Sequence, residues 1–201
     1  MSAKAAEDAD MLQLARRALA HQQNRTTDQA DAIMRMPIEA YTDEARYLDE
    51  RNRIFKALPL ALALSLEIPE PGDFKTLDVV ETPVLLIRGD DGVVRAFLNV
   101  CRHRGMRVCE QETGNKRVFA CPYHAWVYDR SGDLTGIYGE ETFGEGLAMD
   151  QLGLKPLACE EASGFVWVML EPDLSFDINN WLGEFAEKLD SLKLTDWHLF
   201  D

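Results

Sequence analysis

Long apolar runs are missing from this chain. The longest, "LPLALALSL", reaches about half of what a membrane span needs and contains a proline. A basic excess is missing too: 21 Lys and Arg stand against 35 Asp and Glu, a formal net charge of -14. That balance argues against a nucleic-acid or anionic-membrane surface, and any partner steered electrostatically should carry a basic patch. No low-complexity tract or internal repeat occurs, which sets aside solenoids and disordered tails. Glu7, Asp8 and Asp10 lie where a signal peptide would need an apolar core, and after Arg16-Arg17 only Ala18, Leu19 and Ala20 precede the next polar residues. A cytoplasmic protein is therefore expected. Cysteine and histidine are scarce, four of each in 201 residues. A chain of this length can bury a core without disulfide staples, so the cysteines need another reason.

The apolar pattern divides the chain in three. Met11, Leu12, Leu14, Ala15, Ala18 and Leu19 recur at helical spacing, predicting an amphipathic helix over about residues 5–23. Thr42 is the expected N-cap of a second helix, opened by Glu44 and Ala45 and running to about Phe55 before Pro59 stops it. Leu60, Leu62, Leu64 and Leu66 then alternate with Ala61, Ala63 and Ser65, predicting a strand with one heavily buried face. Short apolar runs at 84–89, 93–100, 117–122 and 164–170, with "GDDG", "ETGN", "RSGD" and "EASG" between or beside them, predict mostly antiparallel β-structure. Beyond "EPDLSF" the spacing turns helical again, with Ile178, Trp181, Leu182, Phe185, Leu189 and Leu192 on one broad face. The expected class is mainly β, made of small antiparallel sheets with flanking N- and C-terminal helices. Its expected segments are a helical extension (1–58), a β-rich body (59–171) and a linker with a helix (172–201).

The scarce residues are not scattered. "CRHRGMRVCEQETGNKRVFACPYHAW", from Cys101 to Trp126, holds three of the four cysteines and two of the four histidines. They form two short pairs, Cys101-x-His103 and Cys121-x-x-His124, in loops whose Gly105, Gly114 and Pro122 permit close approach. In a reducing compartment such clusters bind metal more often than they form disulfides. One thiolate and one imidazole per loop can close on a binuclear centre. A structural Cys₂His₂ zinc site uses the same four side chains, although zinc motifs favour two cysteines in one segment and two histidines in the other. Charge explains why a redox centre would mix its ligands. An oxidised [2Fe-2S] core is doubly positive, and two thiolates leave it neutral where four would leave it at minus two. Imidazoles on one iron raise the potential from roughly -400 mV to about -150 to +300 mV.

"CRHRG" and "CPYHAW" resemble the two cluster-binding boxes of Rieske proteins, C-x-H and C-x-x-H. "IPEPGDF", "VLLIRGDDGVVRAFLNVCRHRG", "CPYHAWVYDRSGDL" and "WLGEFAEKLDSLKLTDWHLF" resemble, in that order, the N-terminal part of the large (alpha) subunit of Rieske non-haem iron, or aromatic-ring-hydroxylating, oxygenases. The resemblance implies that Cys101 and Cys121 hold one iron of a Rieske [2Fe-2S] cluster and that His103 and His124 hold the other through their δ nitrogens. It also implies an electron relay from a reductase or ferredoxin to a mononuclear Fe(II), where dioxygen is activated to oxidise an organic, often aromatic, substrate as a dioxygenase or monooxygenase. A neighbouring oxygenase subunit, possibly in a homotrimer, would receive the electron, and neither nucleic acid nor membrane would be a partner.

The resemblance also sets narrower expectations. The extra cysteines of respiratory Rieske proteins fall where this chain has Met106 and Tyr123, so no disulfide should cover the cluster; Cys109 and Cys159 are read as ordinary buried thiols. Trp126 stands where a hydroxyl is usual, which predicts fewer hydrogen bonds to the cluster sulfurs and a potential toward the low end of the range. Ala125 replaces the usual glycine, and alanine fits there if φ is negative. Arg102, Arg104 and Arg107 bracket the first box, either to offset the cluster's charge, to meet an acidic partner, or as solvated or locally paired residues. Tyr123 and Trp126 should shield the site. With His103 and His124 committed, only His21 and His198 remain, and neither forms the close pair that a mononuclear site needs. The chain is thus expected to be the electron-transfer part of a longer oxygenase subunit, the catalytic domain lying outside it. The alternative is a free-standing Rieske-type ferredoxin.

Overall fold

A computed structural model describes residues 3–143 and 147–198. The chain divides into two compact units, Met1–Asp43 and Glu44–Asp201. In the first, helix α1 runs Ala3–Asn24, as the periodicity predicts. Its end is fixed by His21, whose Nδ1 and Nε2 lie 3.0 Å from Thr26 Oγ1 and 2.8 Å from Asp28 Oδ1, while Arg17 pairs with the same Asp28. The apolar residues Met11, Leu12, Leu14 and Leu19 remain exposed. A one-turn helix α2 follows at Glu39–Thr42. Thr42 does not cap the next helix. Its hydroxyl donates back to the Ile38 carbonyl at 3.3 Å, so it closes α2.

The second unit opens with α3 (Glu44–Glu50) and a π-turn (Arg51–Phe55) that carries the predicted helix to its expected end. The β-structure comprises β1 (Leu60–Leu64), β2 (Asp73–Val79), β3 (Thr82–Arg88), β4 (Val94–Leu98), β5 (Thr113–Asn115), β6 (Phe119–Ala120), β7 (Val127–Tyr128), β8 (Leu134–Gly136), β9 (Pro156–Leu157), β10 (Cys159–Ala162) and β11 (Phe165–Val168). Among the described residues these form sheets of order β1-β11-β10, β5-β2-β3-β4-β9 and β6-β7-β8, and every pairing is antiparallel.

Strand β3 organises the core. Val84, Leu85, Leu86 and Ile87 are all fully buried, which a strand achieves only when both faces are covered. Because successive side chains point to opposite faces, Leu85 and Ile87 pack with Phe74, Phe97, Cys101 and Cys121, whereas Val84 and Leu86 pack with Ala63, Val166, Val168 and Leu170. Arg88 ends the strand as a buried cation: its guanidinium donates to the Ile68 and Gly92 carbonyls at 2.8 Å and grips both Glu161 oxygens at 2.7 and 2.9 Å.

In β1 the expected leucine face is interrupted. The register against β11 shifts between Ala61 and Ala63, so Leu62 is the extra residue of a bulge and the small Ala63 becomes the buried one. The β2–β3 hairpin was not legible because its turn, Val80-Glu81, contains neither glycine nor asparagine; both residues nonetheless adopt positive φ, 49° and 64°. An ion pair at 3.0 Å from Arg51 to Glu81 holds this turn.

The predicted C-terminal helix is split. Gly183, at φ 53°, separates α4 (Ile178–Leu182) from α5 (Phe185–Asp190), and of the expected apolar face only Ile178 is buried, while Trp181, Phe185 and Leu192 are exposed.

Candidate metal centre

Two loops carry the four candidate donors, and their backbones are built alike. In the first, Cys101 N–H donates to the Met106 carbonyl at 2.7 Å and Gly105 N–H donates to the Cys101 carbonyl at 3.0 Å. In the second, Cys121 N–H donates to the Trp126 carbonyl at 2.8 Å and Ala125 N–H to the Cys121 carbonyl at 3.0 Å. Each loop therefore reverses through its fourth residue after the cysteine, which must be left-handed: Gly105 at φ 74°, Ala125 at φ 54°. Ala125 does not take the negative φ under which alanine would fit without strain. The second hydrogen bond of the loop imposes the same turn on alanine that glycine makes freely.

Loop one is pinned from beneath by Asn99, which is fully buried. Its Oδ1 accepts from Val108 N–H at 3.1 Å and Cys109 N–H at 3.0 Å, and its Nδ2 donates to the Cys109 carbonyl at 2.7 Å. Loop two hangs between β6 and β7, with Phe119 packed edge-on to Phe74 at 5.4 Å between ring centroids.

The structure brings all four expected residues together. Cys101 and Cys121 are buried, and the rings of His103 and His124 face each other at 4.6 Å between centroids, 70° apart. Trp126 is buried and stacks on His103 at 5.0 Å with the planes 6° apart, while Phe143 meets both rings edge-on. Tyr123, more than half exposed, lies 3.7 Å from the His124 ring between centroids. All of these side chains except Cys101 line a recess of about 540 Å³ together with Tyr138 and Thr142.

The polar atoms facing inward suit a cationic guest. His103 Nδ1 is buried and has no hydrogen-bond partner, a costly state for a polar atom unless something else takes its lone pair. Burial first, then the nearby charges of His124 and Arg104, lower the His103 pKa and keep the ring neutral. The Cys121 thiol is pushed up by burial, with Cys101 adding to the shift and the Tyr123 and His124 backbone N–H groups opposing it. Two such thiols ionise together only beside positive charge. All four cysteines are free thiols, consistent with Met106 and Tyr123 standing where a covering disulfide would need cysteine. Among the described residues no group of three or more His, Cys, Asp or Glu is arranged to hold one metal ion by itself. A two-iron, two-sulfide core spanning the loops requires no such convergence.

Tyr128 is the functional side chain that the sequence reading missed. Its hydroxyl accepts from Arg102 N–H at 3.0 Å and lies 3.4 Å from Cys101 Sγ. Since its lone pair is used by Arg102, its proton is free to point at the sulfur. Burial and then the Cys101 contact raise its pKa, which keeps that proton in place. Trp126 offers no hydroxyl to the sulfurs, and Tyr128, two residues further on, supplies one to Cys101. The available signal was proximity in sequence: Tyr128 lies two residues beyond Trp126, and both are buried. Of the three bracketing arginines, Arg107 is a local partner of Asp78 at 2.7 and 3.0 Å, whereas Arg102 and Arg104 are exposed.

Outside the cluster loops, Cys109 is buried with Lys116 Nζ 3.7 Å from its sulfur, and burial, then Glu161 and Glu160, push the half-buried Cys159 up to about 12. His198 is exposed.

Paired loops presenting Cys and His from small antiparallel sheets define a Rieske-type iron–sulfur domain. The sequence model of the Rieske [2Fe-2S] domain matches residues 59–145, and this segment is a Rieske domain. Its relatives are oxygenase large subunits. It is 37% identical over 158 residues to biphenyl 2,3-dioxygenase subunit alpha of Rhodococcus jostii, covering 79% of this chain and 34% of that protein. It is also 37% identical to the glycine betaine monooxygenase oxygenase subunit of Chromohalobacter salexigens, over 67% of this chain and 30% of that one. Naphthalene 1,2-dioxygenase with indole bound superposes with a TM-score of 0.67 at 36% identity, covering 74% of this chain and 33% of that structure. A quaternary ammonium Rieske monooxygenase in complex with gamma-butyrobetaine gives 0.70 at 32%, covering 78% and 44%. The chain spans about a third of the length of the curated relatives it matches. The helical ends and small sheets agree with the mainly β class expected, and no helix among the described residues is long and apolar enough to cross a membrane.

Proposed function

We propose that Cys101 and Cys121 hold one iron of a [2Fe-2S] cluster and that His103 and His124 hold the other through Nδ1, making the chain a one-electron relay. The observation that carries this reading is the buried, unpartnered Nδ1 of His103 beside two buried thiols and a second imidazole. The bound cluster supplies reversible one-electron chemistry at a potential that the two neutral ligands raise. The chain's own groups then do three things. Trp126 and Phe143 exclude water from His103 and fix its plane; Tyr128 donates a hydrogen bond to the Cys101 sulfur; the Tyr123 and His124 amides do the same for Cys121.

In a full oxygenase the electron would come from a reductase or ferredoxin and pass to a neighbouring oxygenase subunit, where a mononuclear iron would supply the dioxygen chemistry that oxidises an organic substrate. The matched relatives bear the names of enzymes for aromatic hydrocarbons, for glycine betaine and for methanesulfonate. Because chemically different substrates share this third of the protein, the reading rests on electron transfer, and an aromatic substrate is its first candidate, from the biphenyl, chlorobenzene and benzene dioxygenases.

The test is anaerobic loading with iron and sulfide, followed by visible absorption and EPR. A coloured product with a Rieske signal, lost in His124→Ala and Cys121→Ala, supports the assignment. A colourless protein holding one tetrahedral zinc, or an unchanged signal in either variant, overturns it.

A further inference from the structure

Helix α1 carries an apolar stripe that no described residue covers. From Asp8 to Asn24 every residue except His21 is exposed, and Met11, Leu12, Leu14 and Leu19 each leave more than half of their surface in water. With about 100° of rotation per residue, Met11, Leu12, Ala15, Ala18 and Leu19 fall on one side of the helix. Helices in folded proteins owe most of their stability to packing such a side, and one left bare marks an interaction surface. Charge is divided along the same segment. Residues 4–10 hold Lys4 against Glu7, Asp8 and Asp10, whereas residues 16–28 hold Arg16, Arg17 and Arg25 against Asp28. Asp28 is taken up locally by Arg17 and His21. Asp8, Asp10, Arg16 and Arg25 are exposed and make no ion pair among the described residues.

An apolar stripe with an acidic end and a basic end is complementary to itself turned end for end. We infer that α1 pairs antiparallel with α1 of a second copy of this chain. In that arrangement the end bearing Asp8 and Asp10 lies beside the end bearing Arg16 and Arg25 of the other copy, and two-fold symmetry makes the match twice. A parallel pair would set like charges side by side. Ala15 and Ala18, small residues within the stripe, let the two axes come close. An anionic membrane, another common cover for an exposed apolar helix, is disfavoured by the acidic end and by the net charge of -14. Two helices bury less than the roughly 800 Å² per partner of a standard interface, so the pair forms in about the micromolar range. None of residues 59–145 takes part, so the pairing stands or falls apart from the electron relay.

The experiment is sedimentation equilibrium of the whole chain from about 1 to about 100 µM, where a monomer–dimer equilibrium should appear. Leu12→Gln/Leu19→Gln should weaken the dimer about tenfold or more. Asp8→Lys/Asp10→Lys and Arg16→Glu/Arg25→Glu should each weaken it about tenfold as well. The chain carrying all four charge changes should return to within about threefold of the wild type, because reversing both ends restores the match. A folding defect cannot produce that recovery, and a parallel pair would not show it. Lys188→Glu, a charge change on exposed α5, should leave the equilibrium where it was. A monomer at every concentration, an oligomer indifferent to the leucine and charge changes, or no recovery in the four-substitution chain overturns the proposal. So does binding to vesicles of anionic lipid without any dimer. Amide protection of residues 8–24 that is the same at every concentration also overturns it, since the cover would then lie within one copy.

Discussion

Ala125 and Gly105 occupy equivalent places in the two loops, and exchanging their residue types tests whether backbone conformation decides their stability. Left-handed backbone costs an L-residue roughly 1–2 kcal/mol, and Ala125 bears that cost at φ 54°. Ala125→Gly removes it but gives the unfolded chain more freedom, worth about 0.4–1 kcal/mol against the variant. The expected net gain is about 0.5–1 kcal/mol. Gly105→Ala should lose a similar amount, because a Cβ there meets nothing within 4 Å and the cost is conformational alone. For a domain of this size, the corresponding shifts are about 2–4 °C in thermal midpoint per kcal/mol. The assay is thermal unfolding of the cluster-loaded chain at one fixed scan rate, followed by visible absorbance and circular dichroism. Midpoints must move up for Ala125→Gly and down for Gly105→Ala. Shifts of the same sign, or a lower midpoint for Ala125→Gly, would refute the equivalence of the two loops.

Tyr128→Phe removes a donor to the Cys101 sulfur; a net hydrogen bond of about 0.5–1.5 kcal/mol favouring the more negative reduced state translates to a potential lower by about 20–60 mV, readable by redox titration. Asn99→Leu strands two N–H groups and a carbonyl beneath the first loop. Its thermal midpoint should fall by more than that of a surface control, corresponding to about 3 kcal/mol or more. The acid limb of stability should carry Glu161. Burial raises its pKa, but the Arg88 hydrogen bonds and charge outweigh that and leave it lowered. A depressed carboxylate contributes fully above its unfolded pKa of about 4.3 and loses the contribution as pH falls through its lower folded value. Glu161→Gln should therefore flatten the loss of stability below about pH 4 while destabilising the protein at neutral pH; an unchanged acid limb in urea titrations would contradict it.

The sequence made the chemistry more legible than the architecture. The convergence of Cys101, His103, Cys121 and His124 was readable because rare residues at fixed spacing leave few alternatives, and β3 because four consecutive buried apolar residues, Val84 to Ile87, are hard to place elsewhere. The β2–β3 turn escaped notice because Val80 and Glu81 take positive φ without the glycine or asparagine that usually announces it. The bulge at Leu62 was hidden because a pattern of alternating leucines carries no mark of a slipped register. Tyr128 and Asn99 were missed for another reason: each acts through one contact across the fold, and nothing in a local pattern reveals which atom a buried hydroxyl or amide will meet.

Strand β3 has a consequence for how the domain comes apart. With Leu85 and Ile87 serving the cluster loops and Val84 and Leu86 serving the opposite sheet, one stretch of chain is a party wall between two rooms. Neither room can be emptied without stripping one side of that wall. The redox tip should therefore keep its shape until the whole β body melts, and the amides of residues 84–88 should exchange with solvent only when it does.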